Sequence, residues 1–264
     1  MKIGFIGLGN MATAMIGGMI QKGIFTSDEI IGSNRSEEGL KKAEKAFQIV
    51  TAASNKEVAE KAEIIVLSVK PQFYPAVIEE IKEVVQENQI IISIAPGKTL
   101  QWLHDLFGKE LKIVRCMPNT PALVGEGCTG VCCNHLVTEA EKENVIRILS
   151  GFGIASMVEE HMMDAVVGVS GSSPAYVFMF IEAMADEAVA AGMPRKQAYE
   201  FAAQAVLGSA KMVLETGKHP GELKDMVCSP GGTTIQAVRV LEERGFRSAI
   251  MEAMDACIEK SRSM

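Results

Sequence analysis

The sequence of 264 residues is poor in aromatic side chains, at 5%, with one Trp and three Tyr. It also lacks an excess of positive charge: 33 acidic against 26 basic residues leave a net charge of −7. Without a basic face or stacking rings, a general nucleic-acid binder is excluded, and no nucleic-acid partner is expected. There are only four His, and none of the six Cys belongs to a Cys-x-x-Cys pair or has a nearby His-x-x-x-His, so no metal site is read. Cys116, Cys128, Cys132, Cys133, Cys228 and Cys257 are expected as reduced thiols, mostly buried. A chain of this length has core enough without disulfide staples. Low-complexity segments and internal repeats are missing too. The uncharged stretch Ala165–Ile181 falls short of the ~20 apolar residues a bilayer span needs and is broken by Ser170-Gly-Ser-Ser-Pro174. It is expected to be buried inside protein, with no membrane partner. The apolar start, Met1–Ile20, imitates a signal peptide, but its glycine spacing favours a buried strand followed by a buried helix, and the expected compartment is the cytoplasm.

What is present is an ordinary globular composition, 48% apolar and 22% charged. The length fits one or two domains of roughly 100–200 residues. Short apolar runs alternate with amphipathic ones through the first part of the chain. Lys2–Leu8, Glu29–Ser33, Ile64–Val69, Ile90–Ile94, Lys112–Arg115 and Gly130–Cys133 read as strands. Asn10–Gln21, Glu37–Phe47 and Ala76–Val85 read as helices between them. That alternation predicts an α/β, doubly wound sheet of Rossmann type. After about residue 160 strand-like runs vanish. Met179–Ala191, Lys196–Leu214, Thr234–Leu241 and Ser248–Ile258 read as helices punctuated by Gly and Pro. The expected division is a dinucleotide-binding domain over 1–160 and an all-helical domain over 161–264. Eleven of the 16 Met lie after residue 150, and such adaptable apolar surface marks an interface.

The first strand runs directly into Gly7-Leu8-Gly9-Asn10-Met11-Ala12, a GxGxxA fingerprint. Gly7 permits the tight turn, Gly9 lets backbone approach a pyrophosphate, and Ala12 allows close helix–strand packing. Helix N–H groups at Asn10 and Met11 complete an anion site. At the end of the second strand an NAD enzyme usually carries Asp or Glu for the ribose 2′-OH. Here Ser33-Asn34-Arg35 stands instead, with no carboxylate to repel a phosphate, which favours NADP(H) over NAD(H). Lys70, followed by Pro71, and Ala95 lie at later strand ends, where ligands of open α/β sheets bind.

Two further segments carry information. Met117-Pro-Asn-Thr-Pro121 is turn chemistry after a strand. Ser229-Pro-Gly-Gly-Thr-Thr234 combines small residues and hydroxyls ahead of a helix, suited to an anion or amine, or simply to an N-cap. The four His, at 104, 135, 161 and 219, lack motif partners and are assigned surface or capping roles.

At this point the chain resembles the pyrroline-5-carboxylate reductase family over nearly its whole length. The resemblance rests on Gly7–Ala12, Val69-Lys-Pro71, Cys116–Pro121, Ser170–Tyr176, His219–Asp225, Ser229–Thr234 and Gly245–Ser248. It implies NAD(P)H-dependent reduction of the C=N bond of 1-pyrroline-5-carboxylate to L-proline, with NADPH as cofactor and NADH as a second candidate. It implies a homodimer interlocked through the helical domains, assembling into a decamer of dimers, with the active site between the cofactor domain of one subunit and the helical domains of the dimer. Carried over by motif, Ser229, Thr233 and Thr234 hold the substrate carboxylate, the Thr234 hydroxyl faces the ring nitrogen as the catalytic group, Val227 offers its carbonyl there, and Glu160 stands at the pocket edge. Asn55, Val69, Lys70, Ala95 and Asn119 match cofactor-side positions. The chain departs from the family pattern at Ser173, where Gly is usual, and at Val167, where Thr is common; Ser173 is tolerable provided its backbone φ is negative.

Two other functions are open on the sequence. A β-hydroxyacid dehydrogenase or related imine reductase also joins a Rossmann domain to helices, but wants a lysine acid, for which Lys196, Lys211, Lys218 and Lys224 lack motif context. A non-catalytic NADP sensor has no use for a carboxylate cradle at Ser229–Thr234.

Overall fold

The computed structural model describes residues 1–263. Eight strands form one sheet: β1 Ile3–Ile6, β2 Ile30–Ser33, β3 Val50–Thr51, β4 Ile64–Leu67, β5 Ile90–Ser93, β6 Lys112–Met117, β7 Gly127–Cys133 and β8 Gly153–Met157. Their order is β3-β2-β1-β4-β5-β6-β7-β8. The helices between them are α1 Asn10–Gln21, α2 Glu37–Phe47, α3 Asn55–Lys61, α4 Tyr74–Ile81, α5 Leu100–Phe107 and α6 Glu139–Leu149. After the sheet come α7 Met163–Val166, a π-turn at Val167–Gly171, α8 Ser173–Ala190, α9 Arg195–Thr216, α10 Pro220–Val227, α11 Thr233–Glu243 and α12 Phe246–Arg262.

Strands β1 to β6 are parallel, as the unbroken Ile- and Val-rich runs require when both faces are covered. Period-two alternation then feeds two cores. Ile3, Phe5, Val66 and Ile92 face the apolar side of α1 and α6, while Ile6, Ile65, Leu67 and Ile91 meet residues of α3, α4 and α5. The sheet is not parallel throughout: β7 runs antiparallel to β6, and β8 runs parallel to β7. The short connection after Met117, a 3-10 turn at Thr120–Val124, is too brief for a parallel crossover and forces the reversal.

The chain divides into two compact units, residues 1–172 with 257–264, and residues 173–256. Within the first, the segment after β8 is fastened by side chains: Ser261 Oγ donates to Asp164 Oδ1 at 2.7 Å, and Cys257 Sγ lies 3.0 Å from Ser172 Oγ. Cys116 and Cys132 are buried within it, all six Cys are free thiols, and burial pushes the Cys132 thiol up to about 12. Ser173 is not among the residues with positive φ, so the condition for replacing glycine there is met.

The second unit is helical. α8 and α9 pack along each other after the turn at Gly192, φ +97°, with Ala185, Ala198 and Ala202 as their buried residues. The expectation that residues 165–181 lie buried is overturned for the single chain: Val169, Phe178, Met179 and Phe180 are exposed. A helix apolar on most sides can bury only one of them against a single neighbour. Leu207, Leu214, Met226 and Met251 leave the same kind of surface elsewhere in the unit.

Candidate active site

Two backbone cradles stand out, one in each unit. In the first, β1 ends at Gly7, whose φ of +99° suits glycine; an added Cβ would come 2.9 Å from Val69 and 3.0 Å from the Ser68 carbonyl. Ser68 Oγ ties this turn to the end of β4, donating within reach of the carbonyls of Ile6 (3.1 Å) and Gly7 (2.6 Å). The turn therefore sits between β1 and β4, where strand order reverses and a crevice opens. Gly9 is the N-cap of α1, with φ −80° and ψ −173°. No side chain caps this helix, no acid occupies its first turn, and a Cβ at Gly9 would meet nothing within 4 Å. Ala12 is fully buried beneath. The N–H groups of the first turn, Asn10 and Met11 included, have no intrahelical partner, and the positive end of the helix lies behind them.

Beside this loop is a cavity of about 650 Å³ at the ends of β2, β3 and β4, lined by Ser33, Asn34, Arg35, Asn55 and Lys70 among others. Asn34 Oδ1 accepts from Leu8 N at 3.2 Å, locking the glycine loop to the end of β2. Ser36 caps α2, accepting from Gly39 N at 3.2 Å, so Arg35 is held just ahead of a fixed helix start. The Arg35 guanidinium lies over the Phe73 ring, 5.4 Å from its centre. Lys70 precedes the turn Pro71–Phe73, where Pro71 takes the first position. The absence of a carboxylate on β2 does not hold for the cavity as a whole: α4 brings Glu80 to its lining. Phe73 and Glu80 were not legible as site residues. Their signal is spacing alone: 73, 77 and 80 fall on one face once Pro71 fixes the helix start.

The remaining cofactor-side candidates are placed differently. Ala95 is buried past the end of β5, its N–H directed at Ser93 Oγ (3.3 Å). Asn119 is buried and fully engaged: Nδ2 donates to the Ser170 carbonyl at 2.9 Å, and Oδ1 accepts from Cys128 N at 2.8 Å. It pins the π-turn to β7, a positioning role that turn chemistry alone does not reveal. Glu160 is also engaged, its Oε1 accepting from Leu100 N at 2.7 Å at the start of α5 and lying 3.3 Å from the buried Arg115 guanidinium.

The second cradle is Ser229–Thr234. Its geometry repeats the first: Gly232 is the N-cap of α11, with φ −75° and ψ 173°, no side-chain cap and no acid in the first turn. Neither Thr is the N-cap; Thr233 and Thr234 are the first two helical residues, so their N–H groups are donors without intrahelical partners. The loop is closed by Gly232 N donating to the Ser229 carbonyl at 3.0 Å, with Gly231 at φ +71°. Val227 is the last residue of α10, where helix carbonyls have no intrahelical donor. His219 is the N-cap of α10, its Nδ1 accepting from Gly221 N at 3.0 Å.

Candidate lysine acids are locally committed. Lys196, Lys211 and Lys218 face Glu200, Glu215 and Glu222 one turn along their helices, and Lys224 pairs with Asp225. Among the described residues no group of three or more His, Cys, Asp or Glu converges as a metal site.

Comparison with known proteins gives the family. The family profile for pyrroline-5-carboxylate reductase dimerisation matches residues 160–264, and that for NADP oxidoreductase, coenzyme F420-dependent, matches 2–97. The chain is 55% identical to the pyrroline-5-carboxylate reductase of Escherichia coli, over 100% of this chain and 98% of that protein. The chain belongs to the pyrroline-5-carboxylate reductase family. In three dimensions it is similar to the family's Coxiella burnetii member, with a TM-score of 0.92 at 35% identity, covering 99% of this chain and 97% of that one. It is similar also to the Plasmodium falciparum pyrroline carboxylate reductase solved with NADP bound, with a TM-score of 0.90 at 35% identity, covering 99% and 97%. The chain thus carries a dimerisation domain, and the exposed apolar faces of α8 and α9 lie within it.

Proposed function

We propose that this chain is an NADPH-dependent pyrroline-5-carboxylate reductase, reducing the C=N bond of 1-pyrroline-5-carboxylate to L-proline, the last step of proline biosynthesis. The observation that carries the proposal is the pair of glycine-led, uncapped, acid-free helix starts at Gly9 and Gly232, one suited to a pyrophosphate and one to a carboxylate. Residues 1–160 bind the cofactor, and 161–264 bind the substrate and dimerise. The residues present fit the dinucleotide: Gly9 leaves open the space a side chain would fill, and the neighbouring cavity offers Arg35 and Lys70 as cations. When bound, NADPH supplies the hydride. Gly7 and Val69 hold the phosphate turn in shape; Ser33, Asn34, Arg35, Asn55 and Lys70 surround the ribose phosphate end; Pro71, Ala95 and Asn119 keep the strand ends in place.

On the substrate side, N–H groups at Ser229, Thr233 and Thr234 hold the carboxylate. The Thr234 hydroxyl and the Val227 carbonyl orient the ring nitrogen, and Glu160, fixed by Arg115, borders the pocket. A cyclic imine becomes strongly electrophilic once protonated and takes that proton from solvent, so the chain needs no strong side-chain acid. The rate gain is then mostly positioning. NADH serves as a second donor. A second copy covers the apolar helical faces, giving a homodimer, and dimers assemble into a decamer that acts in the cytoplasm without a membrane partner.

Thr234→Ala tests the assignment. Turnover is expected to fall at least about tenfold, the cost of one positioned hydrogen bond in the transition state, with NADPH affinity unchanged. Wild-type turnover in this variant contradicts the role given to Thr234.

A further inference from the structure

The cavity at the ends of β2, β3 and β4 is two-sided. Arg35 and Lys70 supply cations, whereas α4 supplies the Glu80 carboxylate that β2 lacks. Glu80 Oε2 accepts from Asn55 Nδ2 at 2.7 Å, and Ser33 Oγ donates to Asn55 Oδ1 at 2.7 Å. These two bonds have one consistent polarity. An ionised carboxylate only accepts, so the Asn55 amide must turn its NH₂ toward Glu80 and its oxygen toward Ser33. The Ser33 hydrogen is then committed to Asn55, and only its lone pairs remain for a ligand. Lone pairs suit a ribose hydroxyl, which donates. They do not suit a 2′-phosphate, which only accepts when fully ionised.

We propose that Glu80 is a specificity-determining positioning residue: acting through Asn55 and Ser33, it keeps this cavity receptive to a dinucleotide without a 2′-phosphate and so limits the preference for NADPH over NADH. The inference rests on the dinucleotide-binding reading given above. It explains how a chain with no acid on β2 retains a hydroxyl-binding side.

The test is titration of the intact protein with NADPH and with NADH, followed by nicotinamide fluorescence. In Glu80→Gln the side chain can donate as well as accept, so the Asn55 amide is no longer held in one orientation and the Ser33 hydroxyl is free to donate to a bound phosphate. The ratio of the two dissociation constants is expected to shift toward NADPH by roughly threefold or more, the size of one net hydrogen bond. Asn55→Ala alone frees Ser33 and is expected to shift the ratio the same way, which keeps the test alive if the first variant folds poorly. In the Asn55→Ala background, adding Glu80→Gln is expected to change the ratio no further. An unchanged ratio in both single variants overturns the proposal, as does an effect of Glu80→Gln that persists in full without Asn55, since the charge then acts directly. Wild-type protein that binds neither dinucleotide overturns the functional reading itself, an outcome distinct from binding with an unmoved ratio.

Discussion

Gly9→Val is expected to weaken NADPH binding by about 100-fold or more, roughly 2.7 kcal/mol, while the protein remains folded. The two halves of that expectation come from one position. Gly9 has ordinary extended backbone, φ −80° and ψ −173°, which valine can adopt, and a Cβ there would meet nothing within 4 Å. The fold therefore has little reason to object beyond a cap preference of about 1 kcal/mol. The open space, however, lies over the unpartnered N–H groups of α1, where an anion must approach to within hydrogen-bond distance. A branched side chain fills that space. Fluorescence titration reads the affinity, and a thermal melt confirms the fold. Gly7 is a poorer choice, because its φ of +99° and its contact with Val69 would mix strain with lost binding. Near-wild-type affinity in Gly9→Val would remove the phosphate role from this loop.

Gly153→Ala is expected to cost about 3 kcal/mol of stability or more, visible as a melting temperature lowered by roughly 6–12 °C or as loss of soluble protein. Gly153 opens β8 at φ +149° and ψ −139°, a region essentially restricted to glycine. An added Cβ would stand 2.0 Å from the Gly127 carbonyl oxygen and 2.3 Å from its nitrogen. Those atoms are backbone in the partner strand, paired with Gly153 itself, so no rotamer change can relieve the clash. A thermal melt of purified protein decides it; a wild-type melting temperature would mean that the β7–β8 edge bends far more easily than its pairing implies.

Local chemistry explains which parts of the molecule were legible in the sequence. α1 and α2 have the expected bounds, Asn10–Gln21 and Glu37–Phe47, because glycine precedes one and a Ser36 cap opens the other. Parallel strands β1, β2, β4, β5 and β6 were legible because burial on both faces makes them continuously apolar, whereas β3, two half-buried residues, was missed. Helix α6 was passed over although a capping box, Thr138 with Glu141, marks its start; its exposed face of Glu and Lys hides the apolar stripe of Val145, Ile148 and Leu149. The edge strand β8 was missed because it is short and largely exposed. The direction of β7 follows from the short connection after β6, which no residue pattern announces, and β8 runs with β7 after the α6 crossover.

The site divides in the same way. Glycine-led turns announce themselves, so the loops at Gly7–Gly9 and Ser229–Thr234 were legible as helix starts. Glu80 was not, because it sits on the polar side of α4 and gains meaning only when β3 and α3 bring Asn55 to it. The bonds Asn119 makes were not legible: its partners, Ser170 and Cys128, are 51 and nine residues away. The Met-rich second half sharpened in meaning. Its excess apolar surface is real in the single chain, as Met179 and Leu214, 69% and 77% exposed, attest, and it lies in the segment matched by the dimerisation profile.

The most direct test of the central claim is product stoichiometry: purified protein, NADPH and 1-pyrroline-5-carboxylate, with NADPH loss and L-proline formation measured together, beside 3-hydroxyisobutyrate with NADP⁺ as the competing substrate. One L-proline per NADPH consumed, with no turnover of the hydroxyacid, is the expected result. NADPH loss without L-proline, or turnover of the hydroxyacid alone, would contradict it.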